Sequence, residues 1–125
     1  NGHAMQLEIA NNDIDSNRGL MGRTEFGQDQ GMLFIFPRED PRSFWMKNCL
    51  TDMDIAYVGK KGKIRNIVLM KIPTAEEISA NAYKSYPSAG VAMYVIEMAP
   101  GWFSKNGIKA GDIIPAEYLP GPSRQ

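Results

Sequence analysis

Cysteine, histidine and net charge are what this chain has least of, and each scarcity closes off a class of function. Cys49 stands alone among 125 residues, so neither an intramolecular disulfide nor a cysteine-rich metal site can be built. The one histidine, His3, falls in the opening NGHA, and residues 1–4 read as a vector-derived remnant ahead of the natural segment. Without it, histidine-based zinc sites, histidine general bases and a cysteine–histidine nucleophile are all unavailable. Fourteen basic residues balance fourteen acidic ones, which leaves no footprint for a phosphate backbone or an anionic membrane, and no nucleic-acid partner is expected. Long apolar runs are missing too. A bilayer span needs roughly 20 apolar residues. The longest stretch here, Val91 to Ala99, is interrupted by Glu97 and stops at Pro100, so the chain carries no transmembrane segment. Internal repeats, low-complexity tracts and an alternating βαβ rhythm are equally absent, which argues against a doubly wound nucleotide-binding sheet.

What is present is a series of short apolar runs punctuated by turns. Met5, Leu7 and Ile9 alternate with Gln6, Glu8 and Ala10, the period of a strand with one wet face. GMLFIFP, 31–37, is a continuous apolar run of strand length, and PREDPR reads as the loop after it. Further strands are predicted over Ser43 to Cys49 and Asp52 to Val58. GKKGK, 59–63, is a glycine-punctuated turn between IAYV and IRNIVLMKI, which predicts a hairpin. VAMYVIEMA, 91–99, is another strand, and IKAGDIIPAEY, 108–118, a final strand pair or bent strand. Helix is predicted only as one or two turns within Arg18 to Phe26 and as a short segment between Pro100 and Gly107, where proline starts and glycine stops it. The connection over 73–90 is long enough to be functional or to carry a helix of its own. The expectation is one mainly-β domain over 5–118 followed by a polar tail, 119–125: a sandwich, a jelly-roll-like fold or a small barrel with short helical inserts.

Four segments taken together, RGLMGR at 18–23, GMLFIF at 31–36, FWMKNCLTDMDIAYV at 44–58 and VIEMAPGWFSKNGIKAGDII at 95–114, resemble the family called domain of unknown function 192 in order and spacing. Where that pattern usually has threonine, proline and leucine, this chain has Cys49, Asp52 and Met53. The resemblance implies a compact mainly-β domain of bacteria and archaea, often preceded by a signal peptide or lipoprotein anchor, and hence a periplasmic or secreted location. It implies no activity.

The residues themselves nominate a site. On a strand, Trp45, Lys47 and Cys49 share one face, and Phe44, Met46 and Asn48 the other. Trp45 beside Lys47 makes a wall for a flat or sugar-like ligand with an anionic group, against the plainer reading of a core tryptophan and a snorkelling lysine. Arg18 and Arg23 flank two glycines and suit a carboxylate or phosphate, or else one of them pairs with Asp54 or Glu97. Asp52 and Asp54, two apart, would share a face and serve acid–base work or a hard cation, unless Asp52 is solvated and Asp54 buried and hydrogen-bonded. Glu97 interrupts an apolar run, where an ionised carboxylate needs a partner. Asp112 reads as a turn residue. The eight methionines admit a copper(I) site, although core packing accounts for them. No cofactor or metal is expected, and no catalytic residue can be named. The reading that follows is a non-catalytic module binding a small polar or anionic ligand through Arg18, Arg23, Trp45, Lys47, Asn48, Asp54 and Glu97. The alternatives are a histidine-independent hydrolase or lyase using a carboxylate and a lysine, and a structural or protein-interaction domain.

Overall fold

Apolar side chains on both surfaces of a strand demand cover on both surfaces of its sheet, and that requirement organises this molecule. The computed structural model describes residues 6–10 and 30–119. Strands β1 (Gln6–Ala10), β2 (Gln30–Trp45), β3 (Met53–Val58), β4 (Ile64–Met70) and β5 (Ser85–Met98) form one sheet in the order β1-β2-β5-β3-β4. β1 runs parallel to β2, and the other neighbours are antiparallel. Helices are short: α1 (Ala75–Ala80), α2 (Trp102–Lys105) and a 3-10 turn at Ala116–Tyr118. The domain is mainly β with helical inserts, as expected. It is not a barrel: β1 and β4 end the sheet without pairing to each other.

The two faces carry separate cores. On the first, Met32, Phe34, Ile55, Tyr57 and Val95 pack with Met46 and Tyr86. On the second, Leu33, Ile35, Ala56, Val58, Tyr94, Ile96 and Met98 pack against Trp102, Phe103 and Leu119. Phe34, Ile55 and Val95 are fully buried; each such side chain contributes about 1.5–3 kcal/mol relative to exposure. This two-sided burial is why 31–36 is a continuous apolar run rather than an alternating one.

The predicted hairpin is present. β3 and β4 pair from Met53↔Met70 to Val58↔Ile64, and the Gly62 N–H donates to the Gly59 carbonyl. Gly62 holds φ +90 with the Ile114 carbonyl against its Cα, a position closed to a side chain. PREDPR, in contrast, is strand rather than loop. β2 runs on through it because register shifts between Ile35/Asp40 and Pro41/Ser43 absorb the extra residues and the prolines. Arg42 fastens this bulge: its N–H donates to Ser88 Oγ at 2.9 Å, its Nε donates to the Ala92 carbonyl at 3.1 Å, and its guanidinium lies 3.8 Å from the Phe36 ring centroid. The 73–90 connection does carry a helix, and its last part already belongs to β5. Residues 108–118 form no strand. Gly111 at φ +95 and Pro115 break the ladder, leaving an isolated bridge, Lys63↔Ile113, and the 3-10 turn. α2 spans a single turn, shorter than the Pro100–Gly107 interval suggests.

Candidate functional site

β2 stops at Trp45, not at Cys49, and that early stop creates the site. Cys49 N–H donates to the Met46 carbonyl at 3.0 Å, closing a turn in which Asn48 adopts φ 64. Asparagine tolerates this left-handed conformation better than most side chains. The strand alternation predicted for 44–49 therefore ends after Trp45. Met46 turns into the first core, Lys47 and Cys49 are half-buried, and Asn48 is exposed.

Trp45 and Tyr83 meet at one end of an antiparallel strand pair. Trp45 is the last residue of β2 and pairs with Ser85 at the start of β5. Tyr83 lies two residues earlier, just after α1, which a capping box opens: the Glu77 N–H donates to Thr74 Oγ1 and the Thr74 N–H to Glu77 Oε1. Asn81, at φ 51, closes the helix and directs the chain toward β5. The two rings meet edge to face, with centroids 5.6 Å apart and planes at 70°. Lys47 Nζ sits 5.6 Å from the Trp45 centroid and 5.8 Å from that of Tyr83. Each distance is within cation–π range. Trp45 remains 53% exposed, so the cluster faces solvent. Lys84 Nζ, 5.2 Å from the Tyr86 ring centroid, adds a second cation near the start of β5. The pairing of Trp45 with Lys47 was legible in the sequence. Tyr83 was not singled out, though it lies in the connection marked as functional or helical, amid the aromatic–lysine interleaving of NAYKSY.

The carboxylates separate. Asp54 pairs with Met98 and Leu69, whereas Glu97 pairs with Ile55 and Met32, so the two acids occupy opposite faces of the sheet. Asp54 is buried, and its Oδ2 accepts the Gly101 N–H at 2.9 Å, tying down the turn that enters α2. Burial raises its pKa above the usual carboxylate range, with that hydrogen bond pulling the other way. Asp52 does not act with it, because its Oδ1 accepts the Ile72 N–H at 2.7 Å. Asp112 closes a local turn, accepting the Lys109 N–H at 2.9 Å, and is held below the usual range by that bond.

Glu97 is 3% exposed, and its Oε1 finds no hydrogen-bond donor among the described residues. Burial pushes the carboxyl up to about 8, so at neutral pH it holds its proton. Burial pushes the Cys49 thiol up to about 11, and at the alkaline pH where it titrates, the by then ionised Glu97 carboxylate pushes it the same way. Burial, and secondarily Glu97, also raises Tyr57, whose hydroxyl donates to the Tyr86 carbonyl. Gly31 lets β2 approach here, since a Cβ at that position would collide with the Glu97 carbonyl oxygen. Arg18 and Arg23 lie outside the described residues, as does the helix predicted around them. Among the described residues no group of three or more histidine, cysteine or acidic side chains is placed to hold a metal, and no helix is long and apolar enough to cross a membrane.

The profile of domain of unknown function 192, an uncharacterized ACR, matches residues 1–116. The chain belongs to this family. No curated protein matches it. Among solved structures, a protein of Sinorhizobium meliloti 1021 described as a "putative transcription regulator" is 30% identical, with a TM-score of 0.77, covering 89% of this chain and 81% of its own. A protein of unknown function from Novosphingobium aromaticivorans DSM 12444 is 32% identical, with a TM-score of 0.76, covering 87% of this chain and 73% of its own. This family member is thus similar to proteins of the same fold whose descriptions supply no reaction.

Proposed function

We propose that the domain is a non-catalytic binding module whose site is the exposed Trp45–Tyr83–Lys47 cluster and whose ligand is a small molecule carrying an anionic group on a flat or sugar-like ring. The observation that carries this reading is one ammonium held within 5.8 Å of two ring centroids, beside a tryptophan left 53% exposed. Exposed apolar side chains are ordinary on a protein surface; what sets Trp45 apart is the second ring and the ammonium gathered beside it. As a ligand wall it supplies contact area with little side-chain entropy to lose, while Lys47 supplies the charge that fixes orientation. Asn48, exposed at the tip of the adjoining turn, adds polar groups within the same segment.

The enzymatic alternative fares less well. Its best proton donor, Glu97, is 3% exposed and does not meet a dissolved substrate without rearrangement of the fold, and Asp54 already serves a backbone N–H. Zero formal net charge likewise gives no support for nucleic-acid binding here. The family resemblance supports a periplasmic or secreted location, which fractionation of cells making the full natural chain would check.

The test is tryptophan fluorescence with a panel of uronic acids, cell-wall fragments, aromatic carboxylates and neutral sugars. Trp102 is buried at 5% exposure and Trp45 is not, so a ligand response belongs to Trp45 and disappears in Trp45→Phe. Lys47→Met should weaken an anionic ligand at least tenfold while leaving the fold intact. A response that survives Trp45→Phe, or a panel in which no anionic compound acts, counts against the assignment.

A further inference from the structure

We propose that the end of the sheet where β4 runs through α1 into β5 is a self-association surface, on which a second copy of this chain docks about a two-fold axis. Among the described residues, the large apolar side chains left exposed are not evenly scattered: Leu50, Leu69, Ile72 and Ile78 lie at this end, against Val91, Ile113 and Tyr118 elsewhere. Strand register gathers them. Met53 pairs with Met70, and Asp52 Oδ1 accepts the Ile72 N–H at 2.7 Å, so the segments carrying Leu50 and Ile72 come to the same end of β3 and β4. The Lys71 N–H donates to the Tyr86 hydroxyl at 3.3 Å, which fastens the start of β5 there as well. α1 spans the interval between them, with Ile78 on it 57% exposed. Apolar exposure concentrated in this way marks an interaction site, whereas single exposed side chains do not. The surface adjoins the Trp45–Tyr83–Lys47 cluster and does not depend on it.

α1 supplies an independent sign. Its six residues fall well short of the roughly 12–15 that an isolated helix needs, and none of its side chains is buried. The capping box and Asn81 satisfy its ends, but the packed face from which a short helix ordinarily takes its stability is missing among the described residues. Charge decides the occupant. Glu76 stands in the first turn of α1, and Lys71 and Lys84 flank the helix in sequence. Both lysines are tied to Tyr86, one by its backbone N–H and the other with Nζ 5.2 Å from the ring centroid. Glu76, Lys71 and Lys84 are all exposed, and none has an ion-pair partner among the described residues. A surface that joins apolar side chains to unpaired charges of both signs is complementary to itself: about a two-fold axis, Glu76 of each copy meets Lys71 and Lys84 of the other. A nucleic acid or an anionic membrane would call for positive charge alone. Zero formal net charge leaves no long-range repulsion to oppose the contact. Four apolar side chains make a small interface, so the dimer is reversible, with a Kd on the order of 10 μM.

The experiment is sedimentation equilibrium of the whole chain from about 1 to about 500 μM, a range that brackets the expected constant. A monomer–dimer equilibrium is expected. Ile72→Lys and Ile78→Lys, both at exposed positions, should each weaken it by at least about 10-fold. Ile113→Lys should change nothing, because Ile113 is exposed at the opposite end, where it bridges to Lys63 beside the hairpin turn. Glu76→Lys, and separately Lys71→Glu combined with Lys84→Glu, should each suppress self-association by setting like charges against one another across the axis. An equimolar mixture of those two variants should then restore a dimer with one copy of each, a recovery that a misfolded variant cannot imitate. A chain that stays monomeric at the highest concentration, a species larger than a dimer, a dimer indifferent to Ile72→Lys and Ile78→Lys, or a mixture that remains monomeric would each overturn the proposal.

Discussion

Asp54 and Glu97 are both buried carboxyls on central strands of one sheet, yet they lie on opposite faces and differ in what meets them. On the second face, Asp54 accepts the Gly101 N–H and its burial has a structural use, since the loop entering α2 would otherwise have an unsatisfied donor. On the first, Glu97 spends its burial on nothing among the described residues. The comparison separates an acid whose burial serves a backbone donor from one that meets no partner among the described residues.

The largest expected effect that would break the comparison is in pH. Glu97 is pushed up to about 8 in the folded chain, while in the unfolded chain it titrates near its ordinary value. Between those values the unfolded state has lost the proton that the folded state keeps, so stability is greatest below the unfolded pKa and falls as pH rises toward the folded one. The loss is on the order of 5 kcal/mol across that window. Urea denaturation of wild type and Glu97→Gln from acid to mildly basic pH should show this slope in the first and not in the second. Parallel curves would mean that Glu97 is paired in solution. Next in size, Asp54→Ala strands the Gly101 N–H and opens a cavity, and should cost about 2–3 kcal/mol in the same assay. A loss under 0.5 kcal/mol would be too small for the fold-holding role given to Asp54. Smaller, and opposite in sign, Glu97→Met replaces an unmet polar group with an apolar one of similar length and should raise the unfolding free energy by about 1–2 kcal/mol at acid pH, where the carboxyl is protonated in both states. A destabilising result would put Glu97 with Asp54 as a structural acid. Smallest, Arg38→Ala removes an exposed pair to Asp40 with a 3.0 Å contact and should stay within about 0.5 kcal/mol of wild type, setting the baseline for the other three.

Much of the fold was legible from local pattern. The 59–63 turn and its flanking strands form through neighbours in sequence, and Gly62 can hold the required backbone shape whatever surrounds it, which is why that hairpin stood out. The passage of β2 through Pro37 and Pro41 was hidden, because a proline forbids regular pairing and only a partner strand can show that a bulge has accommodated it. The loss of strand at 108–118 was hidden for the converse reason. The apolar residues of IKAGDIIPAEY predict a strand, but only a few backbone bonds join it to its neighbour, Ile64 with Gly111 and Asp112 and Ile114 N–H to the Gly62 carbonyl, too few to extend a ladder. At the site, Trp45 and Lys47 were visible as neighbours, whereas Tyr83 is 38 residues from Trp45 and reached it only through the β2–β5 register.

The sequence by itself determined that the domain is mainly β, that its family is domain of unknown function 192, that histidine chemistry is unavailable beyond His3, and that a tryptophan and a lysine stand close together before a lone cysteine. These are matters of composition and near-neighbour order, which burial does not alter. Tertiary structure alone decided that Asp54 and Glu97 face opposite cores, that the strand breaks at Trp45, that Tyr83 completes the aromatic pair and that methionines from different strands share a core with Cys49. Each of those depends on strand register, and a shift of one residue reverses the face of every side chain that follows.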